Sequence, residues 1–126
     1  MCLDTVTTPK KLKSEGTGYK VLYKSRRGML YFCYFMDKEI PLPIKKWINE
    51  KDYRLKQYKR HETISPYGAC YPMGFHIYRN KGDAKKSVCF DSDVIVPVKF
   101  RQAHTTGKQS GKNIVVAKEI FIPKEA

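Results

Sequence analysis

Acidic residues are scarce in this chain. Its 126 residues hold 12 Asp and Glu against 25 Lys and Arg, a formal net charge of +13. That surplus exceeds the ~2–8 usual for a small soluble domain and favours a polyanionic or phosphate-bearing partner. Long apolar runs are missing as well. The longest, Met29–Met36 (MLYFCYFM), falls far short of the ~20 residues a membrane helix needs, so no membrane partner is expected. The opening MCLDTVTTPKK has no apolar stretch behind a basic start, and no signal peptide is read there. The cysteines at 2, 33, 70 and 89 form no C-x-x-C. Without an export signal, free thiols are expected rather than two bridges, with Cys33 packed in the core. No H-x-x-H or H-E-x-x-H pairing joins the histidines, and no G-x-S-x-G is present, so no metal, cofactor or catalytic residue is assigned.

What is present suits one folded domain. Hydrophobic residues make up 41% and aromatics 13%, enough apolar surface for a core without staples. Residues 1–17 mix turn-formers and charge without a period and read as an extended N-terminal arm before a single domain over 18–126. Tyr19, Val21 and Tyr23 alternate with Lys20, Leu22 and Lys24 as a half-buried strand does. The turn Ser25-Arg26-Arg27-Gly28 then leads into the apolar strand 29–36, which suggests a hairpin. Pro41 and Pro43 exclude a helix interior or a central strand. The stretch 44–61 (IKKWINEKDYRLKQYKRH) fits a frayed helix or a structured loop, and Ser65–Gly68 marks a turn. Tyr71–Tyr78 reads as an aromatic strand, and Asn80 caps a short helix over 81–89 that Gly82 weakens. Asp93–Arg101 sets Val94, Val96, Val98 and Phe100 on one face, with Pro97 at an edge or bulge. A loop at 104–112 joins this to Asn113–Ile122, where Ile114, Val116, Ile120 and Ile122 share a face. The expected class is α+β or mainly β: one domain with a twisted antiparallel sheet of about five strands and at least one short helix.

Three places could carry chemistry. Between Lys45 and Arg60 stand Lys45, Lys46, Lys51, Arg54, Lys56, Lys59 and Arg60, interleaved with Trp47, Tyr53 and Tyr58. Cations neutralise phosphates while aromatic faces stack on bases, so Lys45, Lys46, Trp47, Arg54, Tyr58, Lys59 and Arg60 are candidate ligand-binding residues. The alternative is a solvated face whose aromatics anchor it to the core. The loop Gly107-Lys108-Gln109-Ser110-Gly111-Lys112 offers Lys108 and Lys112 to a phosphate. Its spacing is not that of a Walker A loop, and a strand follows where a helix N-terminus is needed, so a plain hairpin loop competes with the phosphate reading. His76, beside Tyr78 and Arg79, is either ligand-facing or a hydrogen-bonded structural residue. Glu119 alternates to the face opposite Ile120 and is expected to face solvent.

The segments MCLD, GYKVLYK, KKWINEKDYR, YPMGFHIYRNKGDA and VVAKEIFIP together resemble small accessory proteins of tailed bacteriophages. That resemblance implies synthesis in the cytoplasm of an infected bacterium and a role against host defence, with no settled chemistry. Phe75, His76, Ala84, Val94 and Val96 bear a fainter similarity to ADP-ribosyltransferase folds, although Lys118-Glu119 stands where those enzymes carry an E-x-E or Q-x-E pair. The leading expectation is a non-enzymatic protein that captures a nucleic acid or nucleotide signal. The alternatives are an inhibitor docking its basic face on an acidic host protein, and an ADP-ribosyltransferase-like enzyme or a degenerate relative of one.

Overall fold

The computed structural model describes residues 3, 5–6, 12–32, 40–53, 62–64, 70–72 and 74–123. The chain forms β1 (Thr5–Val6), β2 (Gly16–Lys24), β3 (Leu30–Phe32), β4 (Trp47–Asn49), a 3-10 turn (Glu50–Tyr53), β5 (Glu62–Ile64), β6 (Cys70–Pro72), β7 (Phe75–Tyr78), α1 (Lys81–Lys85), β8 (Asp93–Gln109) and β9 (Lys112–Phe121). Seven strands make one antiparallel sheet and β5 pairs with β6 in a separate hairpin, so the class is mainly β. Hydrogen-bonded neighbours run β1-β8-β2-β7-β9-β4, with β3 on β2, and β8 pairs with β9 as well. The path β8–β2–β7–β9 therefore returns to β8 and closes the sheet, which removes the open edges of its longest strands. Only the pair Tyr19↔Tyr78 joins β2 to β7, which makes that seam the thinnest part of the ring.

Alternation explains most of the core. Leu22, Phe32, Phe75, Ile77, Val96, Val98, Val115 and Ile120 fill the interior, with Phe32 stacked on Phe75 at 5.2 Å. A second cluster, Leu3, Tyr78, Ala84, Ile114 and Val116, lies on the other face of the strands. The valines of β8 turn inward as expected, and Pro97 sits opposite Tyr19 where pairing with β9 has not yet begun, since that ladder starts at Lys99. Its missing N–H costs no ladder bond on that open side.

Strand β9 departs from the expected single face. Its interior side chains change from Val115 and Ala117 to Ile120 and Ile122, odd numbers and then even, while Ile114 and Val116 join the second cluster. Strand β8 makes the same change between Phe100 and Ala103, with Gln102 in the left-handed region at φ 57° between them. A register shift follows between Ala103 and Thr105. Both strands thus turn a corner together, and such irregularities sharpen bend and twist.

Other expectations need correction. Residues 104–112 are paired strand rather than loop: β8 continues to Gln109, and Ser110 and Gly111, at φ 50° and 77°, form the whole turn. Positive φ at both positions is the geometry a two-residue hairpin requires. Within the extended arm read at 1–17, Leu3 is fully buried and Thr5 and Val6 pair with Lys108 and Gly107. Strand β2 also begins at Gly16. Helix α1 starts where expected, with Asn80 Oδ1 accepting from the Asp83 N–H at 2.8 Å, but it ends at Lys85. The hairpin of β2 with β3 forms as expected; Cys33 lies outside the described residues, and Cys89 is an exposed free thiol.

Gly18 shows how tightly the thin seam closes. A Cβ there would stand 2.8 Å from the Tyr78 carbonyl oxygen, a backbone atom that cannot rotate away. We expect Gly18→Ala to cost roughly 1–3 kcal/mol in urea denaturation with an unchanged m-value. A neutral outcome would mean that the β2–β7 seam is looser than drawn.

Candidate functional site

The stretch after the two prolines carries a surface that faces outward. Leu42 is buried and its N–H donates to the Leu30 carbonyl at 2.8 Å, which anchors the extended segment to β3. Lys45 then takes φ 58° and its N–H donates to the Ile122 carbonyl at 2.7 Å, turning the chain alongside β9. Strand β4 follows. It was expected as frayed helix or loop, and the ladder of β9 recruits it as an edge strand, with Ile48 supplying the single inward residue.

Pairing across three strands lines up two rows. Lys99 of β8 stands opposite Phe121 of β9, and Phe121 opposite Trp47 of β4. In the next row Arg101 faces Glu119, and Glu119 faces Asn49. Residues opposite one another on a shared face are in contact range. The Trp47 and Phe121 ring centroids are 5.4 Å apart at 51°. Lys99 Nζ lies 5.8 Å from the Phe121 centroid, and the Arg101 guanidinium carbon 4.1 Å from that of Trp47. Each cation–ring contact is worth ~0.5–1 kcal/mol at such exposure.

Glu119 holds this arrangement together. Its carboxylate accepts from Arg101 at 2.8 Å and from the Gln102 side-chain amide. It is 8% exposed rather than solvent-facing as expected, because the corner in β8 and β9 turns it beneath those two side chains. The guanidinium is thereby held over the indole, with its carbon 4.1 Å from the ring centroid. Lys45 and Gln102 take positive φ on either flank of the aromatic pair, and the remaining non-glycine case, Ser110, is explained by its turn. Such conformations persist where surrounding contacts over-determine them, often at binding surfaces.

Of the residues expected from sequence, Lys45, Lys46 and Trp47 come together here, all exposed, with Trp47 at 38%. Arg54, Tyr58, Lys59 and Arg60, and His61 after them, lie outside the described residues. Lys108 and Lys112 flank the turn at the opposite end of β9 from Phe121, on the order of 30 Å along the strand. Their backbones are paired within the ladder, as Lys108↔Asn113 and Gln109↔Lys112, so the segment does not form a phosphate cradle. Sequence reading missed Lys99, Arg101, Gln102 and Phe121. The first two were legible as the outward positions between Val98, Phe100 and Ala103; their meeting with Trp47 depends on long-range pairing.

Exposed cations also stand at Arg26 and Arg27 and along α1 at Lys81, Lys85 and Lys86. Charge is therefore spread over the surface, and the aromatic pair distinguishes the Trp47 face from the rest. Among the described residues, no three His, Cys, Asp or Glu side chains gather as a metal site, and no helix is long and apolar enough to cross a membrane. No family model, curated protein or solved structure matches the chain.

His76 sits apart from this face. It is buried on β7 opposite Val116, and its carbonyl accepts from Lys20 Nζ at 2.9 Å. Phe75, Ala84 and Val96, which share the ADP-ribosyltransferase similarity with it, are core positions as well. Burial pushes the His76 ring down from 6.5 to about 3, helped by the Lys20 and His104 charges and opposed by a hydrogen bond with the Gly74 backbone. The folded ring stays neutral while the unfolded chain takes up a proton below its ordinary value. The associated stability is therefore complete above about pH 6.5 and falls by up to ~1.4 kcal/mol per pH unit toward the depressed value. We expect the His76 Cε1 proton resonance to hold still between about pH 8 and 5. His76→Phe should flatten the fall in denaturation midpoint over the lower part of that range. A ring titrating near neutrality would contradict this placement.

Removing the carboxylate is expected to have a modest cost. Glu119→Ala leaves Arg101 and Gln102 without their acceptor, and with Arg101 part-exposed we expect a loss of about 1 kcal/mol in thermal or urea unfolding. Fluorescence anisotropy decay of Trp47 should shorten in the same variant as the guanidinium comes free.

Proposed function

We propose that the protein is a non-enzymatic binder of nucleic acid, and that the Trp47–Phe121 face is where it binds. One observation carries the reading: a part-exposed indole, contacted by an anchored guanidinium and paired with a second ring, stands beside Lys45, Lys46 and Lys99. Aromatic faces give sequence-tolerant stacking worth ~1–3 kcal/mol per base, and the lysines neutralise phosphates. The formal charge of +13 draws a polyanion toward the protein from a distance. The face lies on the outside of the closed sheet, which suits a chain passing across it better than a nucleotide enclosed on all sides. A kinship with phage accessory proteins, as the resemblance implies, would put such binding in an infected cell, where covering a nucleic acid would shield it from host defence.

Trp47 is the only tryptophan, so its emission reports on this face alone. Titration with a mixed-sequence 12-mer oligonucleotide at low salt should quench it. Affinity should fall linearly on a log–log plot against salt, and replacing Lys46 and Lys99 by Gln should reduce that slope by roughly 1.5. Absence of quenching at low ionic strength, with no change in anisotropy of a labelled oligonucleotide, would sink the proposal.

A further inference from the structure

Resting on that reading, we infer that the face takes unpaired bases: the ligand is single-stranded, and it crosses β8, β9 and β4 with two successive bases on Phe121 and Trp47. Stacking requires a base with a free face, and a duplex hides its base faces inside the helix. Adjacent strands are spaced ~4.8 Å apart, and the two rings, 5.4 Å apart between centroids and tilted by 51°, offer neighbouring platforms at an angle to each other. The guanidinium lies over the indole, and the exposed part of Trp47 is the area offered to a base. Lys99 stands at one end of the row and the exposed Lys45 and Lys46 lead into Trp47 at the other, so each platform has a cation within a short stretch of chain.

No helix of the described residues is long enough to read a duplex major groove. Their only α-helix, α1, spans five residues, less than two turns, and is no recognition helix for a major groove. Arg101 is a positioning residue in this scheme: Glu119 and Gln102 hold it against the indole, and the indole meets the base.

The test compares dT12 with a hairpin duplex of equal phosphate number, both end-labelled, at one salt concentration. The expected result is at least tenfold tighter binding of dT12, with Trp47 emission quenched by dT12 alone. Trp47→Leu keeps an apolar side chain against Phe121 but removes the large π-face. It should weaken dT12 at least fivefold with the duplex unaffected and the melting temperature preserved. Phe121→Leu should do the same, and dT12 carrying abasic sites throughout should bind as weakly as the duplex. Equal affinity for the two oligonucleotides, or a Trp47→Leu variant that binds dT12 unchanged, overturns the single-strand inference while leaving nucleic-acid binding standing. Failure of both oligonucleotides to bind overturns both.

Discussion

The long pairing of β8 with β9 is the constraint on which the other elements depend. Strand β8 lends one edge to β2 and β1 and the other to β9, and β9 in turn carries β7 and β4. A flat ladder of this length would leave both faces open. The corner at Gln102 and Lys118 bends it over the interior, and the price is a non-glycine residue in the left-handed region. The geometry that closes the core also exposes the Trp47 face, the binding surface proposed above. Because side chains switch sides at the corner, Ile120 and Ile122 go in while Glu119 and Phe121 remain on the outer side with Trp47.

Glu119 connects the two consequences. A carboxylate in that half-covered position needs donors, and Arg101 and Gln102 provide them from the opposing strand. Each of these three residues would be unremarkable on an exposed strand. At the corner they lock a cation over a ring, which converts a side chain rich in rotamers into a fixed part of the surface. Binding then immobilises less than it would on a surface of free lysines and arginines.

The sequence made the class and most strands legible because alternation is a local signal. Val94 to Phe100 were readable residue by residue, the β2–β3 hairpin as a pairing although Leu22 rather than Tyr23 enters the core, and Asn80 announced its helix through a local hydrogen bond. Strand β4 was not readable, since three residues with one inward Ile48 have no period, and only the ladder of β9 makes them a strand. The corner was hidden for a related reason. Even-numbered apolar residues continue through Ile114, Val116, Ile120 and Ile122, so the pattern looks unbroken although the side facing the core changes. Trp47, Lys45 and Lys46 were found from composition, whereas Lys99, Arg101 and Phe121 required knowledge of which strands are neighbours. Glycines at 107 and 111 suggested an anion loop, but one occupies a ladder position and the other a two-residue turn.

The clasp of β1 on the far part of β8 governs the order in which the molecule can be assembled. Thr5 and Val6 are held by Lys108 and Gly107, and Leu3 fills a niche with Ile114 and Val116. Partners separated by roughly a hundred positions meet slowly, because a long loop must close before any contact rewards it. The niche that buries Leu3 is built by Ile114 and Val116 of β9, so this contact depends on the β8–β9 ladder rather than creating it.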